Sequence, residues 1–140
     1  MNEAKRQLIE NSFRNSEMLK FYRAELLEVE KGYISIKIPK LSFATRKAGM
    51  FNGAIISSLV DVSSGFAAVS NYEEDAYVVT VELKVNFLQP ALGDYLVSKS
   101  YIVRGGSKVS VIRTEIYTQS ENTDELHHVA TSLVTMMKVR

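Results

Sequence analysis

Cysteine is absent from the 140-residue chain. That gap excludes disulfides, thiolate metal sites and a cysteine nucleophile together, and it fits an intracellular protein. An excess of either charge is lacking too: 17 Lys and Arg stand against 16 Asp and Glu, a formal net charge of +1. Such a balance gives no bulk electrostatic pull toward nucleic acid or an anionic membrane. Neither G-x-x-x-x-G-K-[ST] nor G-x-G-x-x-G occurs, so nucleotide hydrolysis and dinucleotide chemistry have no support. Histidine is scarce, and its two copies, His127 and His128, are adjacent. Neighbouring strand residues point to opposite faces, so this pair is not expected to share a metal ion. No Ser–His–acid arrangement is legible either.

What remains is an ordinary globular mixture, 46% hydrophobic and 24% charged, in a length that suits one compact domain over residues 1–140. The first residues mix Glu3, Lys5, Arg6 and Glu10 with few apolar side chains, which is no secretory signal. The Gly53–Asn71 stretch approaches the roughly 20 residues that cross a bilayer. It also holds Ser57, Ser58, Asp61, Ser63 and Ser64, which argue against insertion. A soluble, cytoplasmic protein is expected.

Residues 1–22 read as an N-terminal helical segment with Leu8, Ile9, Phe13, Met18, Leu19 and Tyr22 as its apolar positions. Two strands follow, Glu25–Glu30 and Tyr33–Ile38, turning at Lys31-Gly32; Ile34, Ile36 and Ile38 share one face. Pro39 ends the second strand, and Leu41–Gly49 is a loop. A long helix then starts near Asn52-Gly53. Ile55, Leu59, Val62, Phe66 and Val69 form its apolar line, opposite a flank of Ala54, Ser57, Asp61, Ser64, Gly65 and Ala68. Small residues in place of Lys, Glu and Arg mean that this flank is also covered by something close. Glu73, Glu74 and Asp75 suit the turn after the helix, since acids repel its negative end.

Four strand-like runs complete the chain: Val78–Phe87, Tyr95–Val103, Val109–Thr118 and Leu126–Val139. In the first, Val79, Val81, Leu83, Val85 and Phe87 alternate with Thr80, Glu82, Lys84 and Asn86, which puts Thr80 on the side away from the packed face. The sum is an α+β domain whose antiparallel sheet must curl around one helix, because no other helix is apolar enough to cover it.

Asp61 is the one charged side chain between Ala48 and Tyr72. A carboxylate taken out of water costs several kcal/mol unless compensated, so it is either a hydrogen-bond hub or a poised reagent. Asn52, just before the helix, has the composition of an N-cap.

Two segments carry a family likeness. Gly49-Met50-Phe51-Asn52-Gly53-Ala54, followed by Leu59-Val60-Asp61, is similar to G-x-x-H-G-G-x-x-x-x-L-x-D. Thr80–Ala91 is similar to a strand ending F-L-x-P-A. Together they resemble the hotdog-fold acyl-CoA thioesterases, in particular the PaaI-like group of phenylacetate degradation, over roughly residues 25–138. The resemblance implies a long central helix wrapped by a curved antiparallel β-sheet. It implies an acyl-CoA substrate, with CoA entering only as part of that substrate and no other cofactor. It assigns Asp61 as general base or nucleophile, Gly53 and Asn52 at the polarising helix start, and Thr80 as a water-orienting hydroxyl. It also implies pairing into a homodimer, with a dimer of dimers beyond it, so that Asp61 of one subunit meets the helix start of the other. Arg46, Lys47, Arg104 and Lys108 are the candidate cations for the CoA phosphates. Asn52 replaces the family His, Ala54 the second glycine and Arg46 an Asn, so a mechanism that titrates that His is excluded, since an amide does not ionise near neutral pH. Two rivals stand beside hydrolysis: an acyl-thioester dehydratase or hydratase, and a non-catalytic acyl-CoA-binding or assembly module of the same fold.

Overall fold

The computed structural model describes residues 1–73 and 75–140. Of the acidic turn expected after the long helix, Glu73 and Asp75 are exposed, and Glu74 lies outside the described residues.

The N-terminal segment is two helices, α1 (Glu3–Asn15) and α2 (Glu17–Phe21). Ser16 divides them: its extended backbone stops α1, and its hydroxyl accepts the Leu19 N–H at 3.3 Å to cap α2. Ile9 and Leu19 anchor the pair in the core. Strands β1 (Glu25–Glu30) and β2 (Tyr33–Pro39) form the expected hairpin, with Gly32 at φ +79° in its turn. The loop before the long helix contains two short 3₁₀ turns, Ser42–Ala44 and Lys47–Gly49.

Helix α3 (Gly53–Ser70) is followed by β3 (Val78–Phe87), β4 (Tyr95–Gly105), β5 (Val109–Gln119) and β6 (Leu126–Lys138). The six strands make one antiparallel sheet in the order β1-β2-β4-β5-β6-β3. α3 packs against β2, β3, β4, β5 and β6. Five strands about 4.8 Å apart are wider than one helix, roughly 10 Å across, so the sheet must curve around it. This is the helix-in-a-wrap architecture that the resemblance implies. α3 is long and apolar enough to cross a membrane, and here it is the core helix of the sheet.

Two sequence expectations are corrected. The face of α3 against the sheet is rich in small residues. Ser63, Ser64, Ala67 and Ala68 are buried, whereas Val62, Phe66 and Val69 are only half-buried beside α1. Small side chains let the strands approach, and strand hydroxyls satisfy the serines: Ser63 Oγ lies 2.5 Å from Ser98 Oγ, and Ser64 Oγ 2.7 Å from Thr114 Oγ1. The alternation in β3 is also interrupted. A β-bulge between Thr80 and Glu82 leaves Val81 unpaired and 59% exposed. Thr80 therefore shares the helix side with Leu83 and Val85 rather than pointing away from it.

Candidate active site

The bulge has a chemical consequence. Thr80 Oγ1 donates to Asp61 Oδ1 at 2.6 Å and also lies 3.4 Å from Met136 Sδ. Asp61 sits on the half-exposed edge of α3 together with Ser57, Ser58 and Gly65. Its carboxylate is thus oriented through one oxygen by a hydroxyl, while the edge beside it stays open. Ser64, a conceivable alternative partner for the acid, is committed to Thr114.

The start of α3 is built by the loop before it. Asn52 N–H donates to Ala44 O at 2.7 Å, and Phe51 N–H to Ala91 O at 2.9 Å, which tie this turn to the segment after β3. Asn52 caps the helix as its composition suggests, its Oδ1 accepting the Ala54 N–H at 3.0 Å. Its backbone carbonyl takes the N–H groups of Ile55 and Ile56 at 3.1 and 3.2 Å. Among the described residues, nothing accepts the Gly53 N–H. One donor at the positive end of an 18-residue helix is left for a ligand oxygen.

A cavity of about 580 Å³ opens at that donor, with Gly53, Arg46, Met50, Ile56 and Phe87 among its walls. The Phe87 ring lies over Gly53: a Cβ there would meet its Cζ at 3.4 Å. Phe87 is no site candidate in the sequence, because a strand aromatic ordinarily reads as core. Its position just before Leu88-Gln89-Pro90 was the signal available.

The candidate cations separate. Arg46 borders the cavity and Lys47 follows it, both exposed. Arg104 and Lys108 are exposed on the β4–β5 hairpin, where Gly105 abuts Asn71 at the far end of α3. Within one chain the two pairs stand at opposite ends of a helix about 27 Å long. His128 Nε2 meets Glu115 Oε2 at 2.5 Å on the sheet face away from α3, and His127 is exposed.

A hydroxyl-held carboxylate and an unspent helix N–H are groups of the kind that acyl chemistry uses, and the sequence as a whole is similar to known families. Residues 48–125 match the family model described as "Thioesterase superfamily". The chain belongs to the thioesterase superfamily. It is a thioester hydrolase by family and a hotdog fold by structure. Among curated relatives, "Putative esterase SSO2140" of Saccharolobus solfataricus is 33% identical over 108 residues, 76% of each chain. "Medium/long-chain acyl-CoA thioesterase YigI" of Escherichia coli is 25% identical over 110 residues, 69% of this thioesterase and 71% of YigI. Among solved structures, a thioesterase family protein from Silicibacter pomeroyi superposes with a TM-score of 0.89 at 29% identity, covering 96% of this chain and 97% of that one. The E. coli PaaI protein superposes at 0.85 with 15% identity over 97% and 94%, a likeness of fold.

Proposed function

We propose that this thioesterase hydrolyses an acyl-CoA to CoA and a carboxylic acid at a site shared by two subunits of a homodimer. The single observation that carries this reading is the Asp61 carboxylate held by Thr80 at 2.6 Å while the Gly53 N–H remains unspent. Asp61 lies eight residues after Gly53, about 12 Å along the helix, too far for both to act on one carbonyl. A second copy supplies the missing half. β3 is an edge strand with one side unpaired, and Val81, Phe87 and Leu88 are exposed along and just beyond it, a template for pairing with another strand. Antiparallel pairing of β3 with itself brings the Thr80 end of one copy beside the Phe87 and Gly53 end of the other.

In that arrangement the Gly53 N–H of one subunit donates to the thioester oxygen as it becomes negative. Asp61 of the other deprotonates a water or attacks the carbonyl carbon itself, forming a mixed anhydride that water then opens. Thr80 fixes the carboxylate, and Asn52 holds the helix start in place. Arg46 and Lys47 meet the CoA phosphates on this side, while Arg104 and Lys108 reach them only from another helix end. The sheet face away from α3, with Tyr101 and Leu133 exposed, is where two dimers stack. The family of the chain and the name of YigI support acyl-CoA as substrate, and the lack of cysteine fits work in the cytoplasm.

A panel of acyl-CoA thioesters with free-thiol detection tests the reading. Wild type is expected to release CoA, and Asp61→Ala to lose about 10²–10⁴-fold in kcat. Undiminished turnover in Asp61→Ala would remove Asp61 from the mechanism.

A further inference from the structure

A second opening begins at Gly65, one helical turn beyond Asp61 on α3. The side of α3 facing α1 leaves Val62 and Phe66 half-buried, and Leu8 on α1 and Met18 on α2 stay 45% and 41% exposed along the same channel. Val78 forms the wall on the strand side, and the groove holds about 360 Å³. Continuous apolar surface left facing water marks a place where something apolar binds.

Its position says what that is. Gly65 lines the groove one turn beyond Asp61 on the same helix face. Val78 lies two residues before Thr80, on the same side of β3. The Gly65–Val78 end of the groove therefore adjoins the Asp61–Thr80 pair, and the channel runs from there toward the C-terminal end of α3. The cavity at Gly53 lies at the opposite end of that helix, so within each chain the two openings diverge. A group attached to a carbonyl held at Asp61 enters this groove. The entrance at Gly65 has room to spare: a Cβ there would find its nearest neighbour, Met136 Cε, at 3.9 Å, ordinary contact, so only a larger side chain would narrow it.

We propose that the groove between α1 and α3 is the acyl-chain subsite, and that it takes an unsubstituted alkyl chain of medium length. The proposal rests on Asp61 acting at the thioester carbonyl. Lys5 and Asp75 border the groove, and a longer chain would have to bury hydrocarbon against charged groups. At roughly 30 Å³ for a water-sized group, the space accommodates on the order of ten methylenes. Leu8, Met18 and Phe66 set the width, and Gly65 the entrance.

Titration calorimetry on Asp61→Ala protein measures the subsite without turnover. Each buried methylene is worth about fourfold in Kd, so if three of the six that decanoyl-CoA adds to butyryl-CoA are buried, it binds about sixtyfold tighter. Gly65→Leu in that background narrows the mouth and is expected to cut the ratio at least tenfold. Leu8→Glu, on the exposed opposite wall, is expected to do the same without touching α3. Equal affinity for the two thioesters, or a ratio that neither substitution lowers, overturns the subsite. The acyl-CoA panel on the parent protein judges the other reading separately. A strong chain-length preference in binding without any wild-type turnover leaves the groove standing and removes the hydrolase, whereas turnover with flat binding does the reverse.

Discussion

Thr80 is where one residue's geometry bears on the proposed chemistry. Its hydroxyl reaches Asp61 only because Val81 is extruded from the ladder with β6. Thr80→Val keeps the shape and deletes the donor, which frees the carboxylate to rotate. Small misplacements of catalytic groups cost about 10²-fold, so kcat is expected to fall about 10–100-fold with KM little changed. Thr80→Ser should recover most of it, and steady-state kinetics on the two variants checks this. Asn52 acts differently. Its Oδ1 caps α3, so Asn52→Ala is expected to cost about 1 kcal/mol, read as a lowered urea midpoint, while Asn52→Asp keeps the cap. The solitary acid and the capping residue were legible in the sequence, since a lone carboxylate among small residues and an Asn before a helix glycine each have few other uses. The Thr80 contact was not. An unbroken alternation of β-branched residues conceals a bulge, because the extra residue is itself a valine.

At the scale of elements, α3 is clasped to the sheet by hydroxyls as well as by hydrocarbon. Thr114 Oγ1 bonds both Ser64 Oγ at 2.7 Å and Ser100 Oγ at 2.6 Å, and all three residues are fully buried. Thr114→Val preserves the volume but strands two buried hydroxyls at about 1–3 kcal/mol each. A loss of about 2–6 kcal/mol is expected in denaturant unfolding, and a near-neutral result would mean that the serines find other partners. The same network explains why periodicity misjudged the helix. Apolar spacing picked out Val62, Phe66 and Val69, which meet α1, because counting hydrophobic residues ignores serines that approach a strand closely and find acceptors there. Helix and strand boundaries, by contrast, followed from Gly32, Pro39 and the turn residues. The break at Ser16 is a capping event inside a loosely patterned stretch and leaves no apolar signature.

For the whole molecule, the sheet face away from α3 carries ionisable groups with a definite alkaline signature. Burial, aided by the nearby Glu28 carboxylate, pushes the Tyr33 phenol up to about 12. The folded state then keeps a proton that the unfolded chain gives up near pH 10. Stability from this group is complete below pH 10 and is lost as pH rises from 10 toward 12. Tyr33→Phe should flatten that decline in thermal melts taken across the range. The curled α+β architecture was legible in the order of the elements, with one helix apolar enough to be the core of the sheet, packed against five of its six strands. The proposed sharing of a site was legible as a distance problem between Gly53 and Asp61 and as what the family resemblance implies, since nothing else in one chain's sequence specifies its neighbour.

Gly53 offers a clean probe of that sharing. It is the first helical residue, where proline is tolerated, and Asn52 before it already has the extended backbone that proline demands. Gly53→Pro therefore deletes the unspent N–H with little strain. Gly53→Pro and Asp61→Ala homodimers should each be nearly inactive. Unfolded together and refolded at equal amounts, half of the dimers pair one of each, and each such dimer has one intact site of two, so about a quarter of wild-type activity returns. Activity that never exceeds the sum of the two separate variants would show that each chain works alone and that Asp61 does not meet a second subunit's helix.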